Sequence, residues 1–385
     1  MESYKGFFAR VSNYLYSKDR KSSVDRRDDS DRSKSGEVLM SNIKDLPKQL
    51  LTYLARIGFH TRKRYSNKRL LFIALAHLGD TIRTLCLAEY LHKQGFHLYA
   101  VAKSVPAEVL SMSRLFQEIF VFEPRWSSLH TTWIETLQRA FSFSRWAKNR
   151  RFGVSITTHH HPFNSIIAYM CPAKVRIGHN GAGDHLLTEV VRTTVHPATV
   201  EGINALAKPL TGEVPTERVP YLHIPEPLIM QIRKLTSYKR PLLVVHPGAG
   251  SPVNIWSPDN FGMVIRNLKM PTLVVCSATE KPLAHRVSAV GGDCTVFITS
   301  TVNELAAAIA SADIFLGNDA GLSHLAVALR KPTVVAFMQR GKKEVWGYSL
   351  PYYKGIEVWE SPNGRIMDVI KACKEVLGLS DSGQN

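Results

Sequence analysis

Five short apolar runs, at residues 242–245, 272–276, 295–298, 314–316 and 333–337, alternate with segments of helical character. Each run has the length of a strand and is apolar apart from a leading threonine in three of them (Thr272, Thr295 and Thr333). That is the pattern of strands buried on both faces of a parallel sheet. The helix starts between them are marked. Ser257-Pro258 sets a capping residue before a proline suited to the first helical position. Thr301-Val302-Asn303-Glu304 reads as a capping box. Further starts fall near Glu280 and Ala320. Alternation of this kind predicts an α/β, doubly wound sheet that binds its ligand at the carboxyl ends of the strands.

The first half carries the same signal less regularly. An apolar strand at 69–75 leads into the loop Ala76-His77-Leu78-Gly79-Asp80 and a helix from Thr81 to about Gln94, with Gly95 as its stop. A strand at 97–102 completes the unit, and alternation continues to about residue 222, with a strand near 154–157. A proline-flanked segment follows. The 385 residues are expected to divide into an N-terminal extension (1–66), a first Rossmann-like domain (67–225), a linker (226–240) and a second Rossmann-like domain with a terminal helix (241–385). No internal repeat of fixed period is present.

Charge narrows the partner. The formal charge is +17, and in residues 1–69 Lys and Arg outnumber Asp and Glu by 17 to 8. Such a balance suits an anionic partner. Residues 17–38 are too polar to order themselves. In residues 39–58, Leu46, Leu50, Leu51, Leu54 and Ile57 recur at helical spacing ahead of the basic cluster 60–64. That segment suits either an anionic membrane face or packing on the first domain. No apolar run reaches the ~18 residues of a membrane span, and the N-terminus lacks a signal-peptide core. The five cysteines are dispersed and odd in number, which fits reduced thiols in a cytoplasmic protein. Nucleic-acid recognition motifs are lacking, so no nucleic-acid partner is expected.

Three strand-to-helix turns carry residues suited to chemistry. Gly317-Asn318-Asp319-Ala320-Gly321-Leu322-Ser323-His324 ends one strand and opens a helix. A helix N-terminus presents unpaired N–H groups and partial positive charge to a diphosphate; a simple capped turn is the alternative. His246-Pro247-Gly248-Ala249-Gly250-Ser251 is a small-residue loop after another strand, and it matches neither a dinucleotide fingerprint nor a P-loop. Asp80, beside the first strand, suits a helix cap or a general base that takes a proton from an attacking hydroxyl. His159-His160-His161 suggests a metal, but neighbours on a strand point to opposite faces and cannot share one ion. The only Asp-x-Asp, Asp29-Ser30-Asp31, lies in the charged tail, so no metal site is expected.

Taken in order, these segments resemble the lipopolysaccharide heptosyltransferase family, glycosyltransferase family 9. The resemblance rests on Leu78-Gly79-Asp80, Ala173-Lys174-Val175-Arg176-Ile177-Gly178, His246-Pro247-Gly248-Ala249 with Trp256, Ser277-Ala278-Thr279-Glu280, Glu304-Leu305-Ala306 and, most specifically, Asn318 to Leu325. It implies a GT-B fold, two Rossmann-like domains facing across a cleft. It also implies inverting, metal-independent transfer of heptose from ADP-heptose, with the ADP-sugar as co-substrate and no cofactor. The acceptor would be an anionic lipopolysaccharide core, with peripheral association at the inner membrane. By this resemblance Asp80 is the general base. Gly248, Ala249, Asn254, Glu280, Asp319, Ala320, Gly321, Leu322 and His324 surround the donor, and Arg83 and Arg176 face the acceptor. One departure stands out: Asn254 occupies the place of a family lysine two residues before the tryptophan, and Lys342 or Arg340 is the candidate to replace its charge. A sugar-nucleotide epimerase of the same architecture and a non-catalytic binder of anionic glycans remain the alternatives.

Overall fold

The computed structural model describes residues 67–125, 131–159, 161–237, 239–361 and 365–379. The basic segment 1–66, with its expected amphipathic helix and Asp29-Ser30-Asp31, lies outside the described residues.

Two six-stranded sheets organise the chain, and every pairing in both is parallel. The first contains β1 (Arg69–Ala74), β2 (His97–Ala102), β3 (Phe116–Val121), β4 (Val154–Thr157), β5 (Val175–His179) and β6 (Glu189–Val191), in the order β3-β2-β1-β4-β5-β6. The second contains β7 (Leu243–His246), β8 (Thr272–Cys276), β9 (Cys294–Ile298), β10 (Ile314–Asn318), β11 (Thr333–Phe337) and β12 (Tyr353–Glu357), in the order β12-β11-β10-β7-β8-β9. Numbered from its own first strand, each sheet runs 3-2-1-4-5-6, the order of the dinucleotide-binding fold. Each therefore has a switch point, between β1 and β4 in one and between β7 and β10 in the other, where consecutive connections leave in opposite directions and a crevice opens.

In the first half α1 (Leu78–Lys93), α2 (Ser104–Met112), α3 (Trp133–Arg150) and α4 (Pro162–Met170) cover the sheet. The short α5 (Val200–Asn204) and α6 (Lys208–Thr211) lead to α7 (Glu226–Leu235), which occupies the segment expected as a linker. In the second half come α8 (Pro258–Leu268), α9 (Lys281–Gly291), α10 (Val302–Ser311), α11 (Gly321–Ala328), α12 (Lys342–Trp346) and α13 (Ile366–Val376). The Thr301–Glu304 capping box forms as expected, with Glu304 N donating to Thr301 Oγ1 at 3.1 Å. Ser257 is the N-cap of α8 with proline following, but its side chain makes no capping bond.

One expectation is corrected. The first helix starts at Leu78, not Thr81, with His77 as its N-cap and no side-chain cap. Asp80 thus sits inside the first turn and does not cap it. Sequence patterning missed this start because a glycine in a first turn argues against helix. The tertiary reason for Gly79 is plain: a Cβ there would overlap the His324 ring.

The seam between the two halves is apolar. A single cluster of buried side chains runs from Leu70 and Leu85 through Ile229 and Ile232 of α7 to Leu322 and Leu325 of α11. Helix α1 packs directly on α11. At their first turns the approach is tight enough that a Cβ at Gly321 would lie 2.9 Å from that of Leu78.

Candidate functional site

The close packing of α1 and α11 brings the two switch points together. Residues 78–80 follow β1, and residues 319–324 follow β10. The N-termini of both helices therefore open on one cleft, each with its aligned peptide dipoles and unpaired N–H groups. Neither N-cap, His77 or Ala320, offers a side-chain acceptor to those groups. Among the described residues the Asp80 Oδ1 atom, buried there, has no hydrogen-bond partner.

Asn318 holds the second-domain side of the cleft in shape. It is wholly buried at the end of β10. Its amide Nδ2 donates to Pro247 O at 2.8 Å and Gly248 O at 3.3 Å, and its Oδ1 accepts from Trp256 N at 2.9 Å. Its carbonyl accepts from Ser323 Oγ at 2.7 Å. One side chain thus ties together the loops after β7 and β10. Asn254, in the same loop, donates through Nδ2 to Asp319 O at 3.3 Å and accepts from Gln339 Nε2. Where the resemblance expects a charge, this chain has a neutral side chain bonded to the neighbouring loops.

Glu280 lies over Gly248 so closely that a Cβ at 248 would collide with its carboxylate. Ser277 donates to Glu280 Oε2 through its N–H at 2.9 Å and its hydroxyl at 2.7 Å, and His246 Nε2 lies 3.3 Å from both carboxylate oxygens. Burial alone would raise this carboxyl, but the His246 and Ser277 contacts outweigh it and hold the group at about 2. A Gly248→Ala substitution is expected to push the carboxylate off these partners. It should cost about 1–3 kcal/mol of stability, read as a lower melting temperature.

Asp319 behaves oppositely. Burial pushes its carboxyl up to about 6, against the opposing pull of Lys342 and Arg83. The folded chain therefore holds this proton more tightly than the unfolded one, and stability falls as pH rises from about 4 to about 6. Asp319→Asn removes that penalty. The apoprotein variant should melt higher than wild type at about pH 7.5, with a smaller gain at about pH 4.5. An equal change at both pH values would contradict the shift. His324 is also buried, and burial followed by the nearby Arg83 charge pushes its pKa well below the usual histidine range. It is a neutral ring whose Nδ1 lies 2.8 Å from the Tyr348 hydroxyl.

The other expected site residues divide. Ala320 is the N-cap of α11, Gly321 opens the helix against Leu78, and Ala249 is half-buried in the β7 loop. Leu322 turns its side chain into the core and leaves only backbone to the cleft. Lys342 lies near enough to act on Asp319, whereas Arg340 stacks on the Trp359 ring at 5.8 Å. His161 caps α4, with Nδ1 accepting from Phe163 N at 3.4 Å. His160 lies outside the described residues.

Two placements differ from expectation. Arg83, expected at an anionic acceptor, is 1 % exposed and bridges the two domains. Its Nη1 donates to Ala198 O at 2.8 Å and its Nη2 to Val345 O at 3.1 Å, and its guanidinium lies over the Trp346 ring at 4.7 Å. Arg176 pairs in register with Ser155, which pairs with Leu71. It therefore sits at the amino ends of the strands, away from the cleft, with Nε donating to Leu186 O at 2.8 Å and Nη1 to Ala173 O at 3.2 Å. Sequence reasoning missed the positioning roles of Asn318 and His246. The available signal for Asn318 was a polar residue closing an otherwise apolar strand.

Known proteins match this geometry. The family model described as glycosyltransferase family 9 (heptosyltransferase) matches residues 141–375, more than half of the chain. Among solved structures, E. coli ADP-heptose LPS heptosyltransferase II superposes with a TM-score of 0.67 at 17% identity, over 80% of this chain and 98% of that one. A family 9 glycosyltransferase from Veillonella parvula gives 0.70 at 18% identity, over 83% and 99%. E. coli heptosyltransferase WaaC with ADP-2-deoxy-2-fluoro heptose gives 0.64 at 14% identity, over 79% and 98%. The comparison with curated proteins finds no match. Two Rossmann-like domains meeting at their switch points make a GT-B fold, and with the family match over most of its folded length the chain belongs to glycosyltransferase family 9, the heptosyltransferases.

Proposed function

We propose that this glycosyltransferase moves heptose, or a closely related sugar, from ADP-heptose to a hydroxyl of an anionic acceptor of the lipopolysaccharide-core type, with inversion and without a metal. The observation that carries the reading is the meeting of the two helix N-termini, with an Asp80 carboxylate oxygen that is unpartnered among the described residues on one side and the Asn318-braced loops on the other. Two of the solved relatives support the donor: one is described as an ADP-heptose enzyme and the other holds an ADP-heptose analogue.

In the proposed step Asp80 takes the proton of the acceptor hydroxyl as that oxygen bonds to the anomeric carbon. The bond from that carbon to the diphosphate oxygen breaks on the opposite face, and ADP leaves with the electron pair. A single displacement of this kind inverts the anomeric centre. The growing negative charge on the diphosphate is met by the N-terminus of α11 and by Lys342. The backbone of Gly248 and Ala249 lies along the phosphates, and Glu280 accepts hydrogen bonds from the nucleoside. Asp319 and the neutral His324 contact the sugar, and Asn254 holds the loop. The high positive charge suits an acceptor rich in phosphate and carboxylate, and work on such a lipid-anchored acceptor would place the protein at the cytoplasmic face of the inner membrane.

A thermal-shift panel of sugar nucleotides tests the donor. A ligand at about 100 times its Kd stabilises the fold by about 2.7 kcal/mol. ADP-sugars are expected to raise the melting temperature selectively. A larger shift with UDP- or GDP-sugars would refute the ADP reading, and turnover of the donor without acceptor would indicate an epimerase instead.

A further inference from the structure

The outer face of α3 has no role in the chemistry above, yet its composition is unusual. The helix buries Thr136, Ala140, Phe143 and Ala147 against the first sheet. On the opposite side, at helical spacing, come Ile134, Gln138, Phe141, Arg145 and Lys148, all exposed. Ile134 is 55 % and Phe141 54 % exposed, seven residues apart and so on one face. Among the described residues neither Arg145 nor Lys148 forms an ion pair. The acid nearest the stripe, Glu135, lies about a quarter-turn round the helix. It is engaged in the N-cap, accepting from Thr132 N at 2.7 Å and Thr132 Oγ1 at 2.8 Å. Large apolar side chains and unpaired cations share one stripe that contains no acid.

We infer that this face of α3 docks the protein on the anionic headgroup layer of a lipid bilayer, with Ile134 and Phe141 entering the interface and Arg145 and Lys148 held over the headgroups. A basic amphipathic helix lies in a bilayer surface in this way. The apolar pair favours a bilayer over nucleic acid, which would use cations and stacked rings but gain nothing from an exposed isoleucine. Position agrees. Ala74, Ala102 and Val121 stand in register at the carboxyl ends of β1, β2 and β3, and α3 begins on that same edge. Ile134 therefore lies toward the end of the sheet at which Asp80 opens, the end that a lipid-anchored acceptor must approach. The purpose of the docking rests on the proposed acceptor, but the docking itself does not.

Co-sedimentation of the full chain with phosphatidylglycerol-containing vesicles tests this, with pure phosphatidylcholine vesicles for comparison. The basic N-terminal segment is common to every variant, so differences report on α3. Ile134→Ser with Phe141→Ser should weaken binding by at least about tenfold. Arg145→Gln with Lys148→Gln should weaken it roughly thirtyfold, from about one unit of electrostatic attraction per cation. Met367→Ser, another exposed apolar position (67 %) on α13, should have no effect. Unchanged melting temperatures confirm the fold, and single Phe141→Ser serves if the double variant is unstable. Transfer to a water-soluble, delipidated acceptor should be unaffected by the α3 variants, so a failure of docking is separable from a failure of the transferase reading. Wild-type vesicle binding by both pairs of variants, equal binding to phosphatidylcholine, or binding to single-stranded RNA that the Ile134/Phe141 pair weakens equally would overturn the inference.

Discussion

Asp80→Asn is expected to lower glycosyl transfer by about two to four orders of magnitude, the usual contribution of a positioned general base. Donor-induced stabilisation should survive. The substitution keeps the shape of the side chain and the packing of Gly79 on His324, and removes the charge proposed to accept the proton. The carboxylate also sits in the first turn of α1, where an anion is favoured by about 0.3–1 kcal/mol. A small loss of stability is therefore expected, far too small to account for lost turnover. The informative readout is kcat with saturating donor and acceptor, beside the donor thermal shift. A normal kcat would remove Asp80 from the chemistry. A lost donor shift would make it a binding residue instead.

Asn318→Asp should be the most damaging change in the second domain. The amide nitrogen lies between two carbonyl oxygens, at 2.8 and 3.3 Å, in a wholly buried position. A carboxylate there turns two hydrogen bonds into two repulsions and adds a buried charge with no partner. Each buried polar group left unsatisfied costs about 1–3 kcal/mol, and more when charged. We expect about 3–5 kcal/mol of lost stability, read as a lower denaturant midpoint, together with loss of the donor-dependent thermal shift. Asn318→Ala should lose stability as well, though less, since it introduces no charge. If Asn318→Asp melts and binds donor as wild type does, the bracing role fails.

The two halves were not equally legible in the sequence. Strands β7, β8, β10 and β11 are buried along their whole length and read as apolar runs interrupted only at their ends. The edge strand β3 is half-exposed and mixed in composition and β6 is three residues long, so their signal is weak, whereas the half-exposed edge strand β9 still reads as an apolar run. The shared 3-2-1-4-5-6 order was invisible for a different reason. Right-handed crossovers are compatible with more than one parallel strand order, and each of those orders needs the same buried runs of suitable length and no repeat.

The site divides along similar lines. Local chemistry pointed to Asp80, Asp319 and His324, because turns at strand ends are where such folds bind ligands, whereas Glu280 came only from the family resemblance. What they touch was not local. Gly79 meets His324 and Leu78 meets Gly321, each over a separation of more than two hundred residues, and Asn318 reaches the loop around residue 248 and Trp256. The two arginines failed for a related reason. Sequence reports that Arg83 and Arg176 are cationic, not that one lies in a domain seam lined by Trp346 and the other at the amino end of β5.

The most direct test of the account is a transfer reaction read by mass spectrometry on the acceptor. Purified protein is supplied with ADP-heptose and a lipopolysaccharide core truncated before its heptose residues. The acceptor should gain one heptosyl residue, matched by free ADP, and Asp80→Asn should abolish the gain. An acceptor that gains no mass while the ADP-heptose stays intact, or one that gains a sugar only from a UDP- or GDP-linked donor, would contradict it.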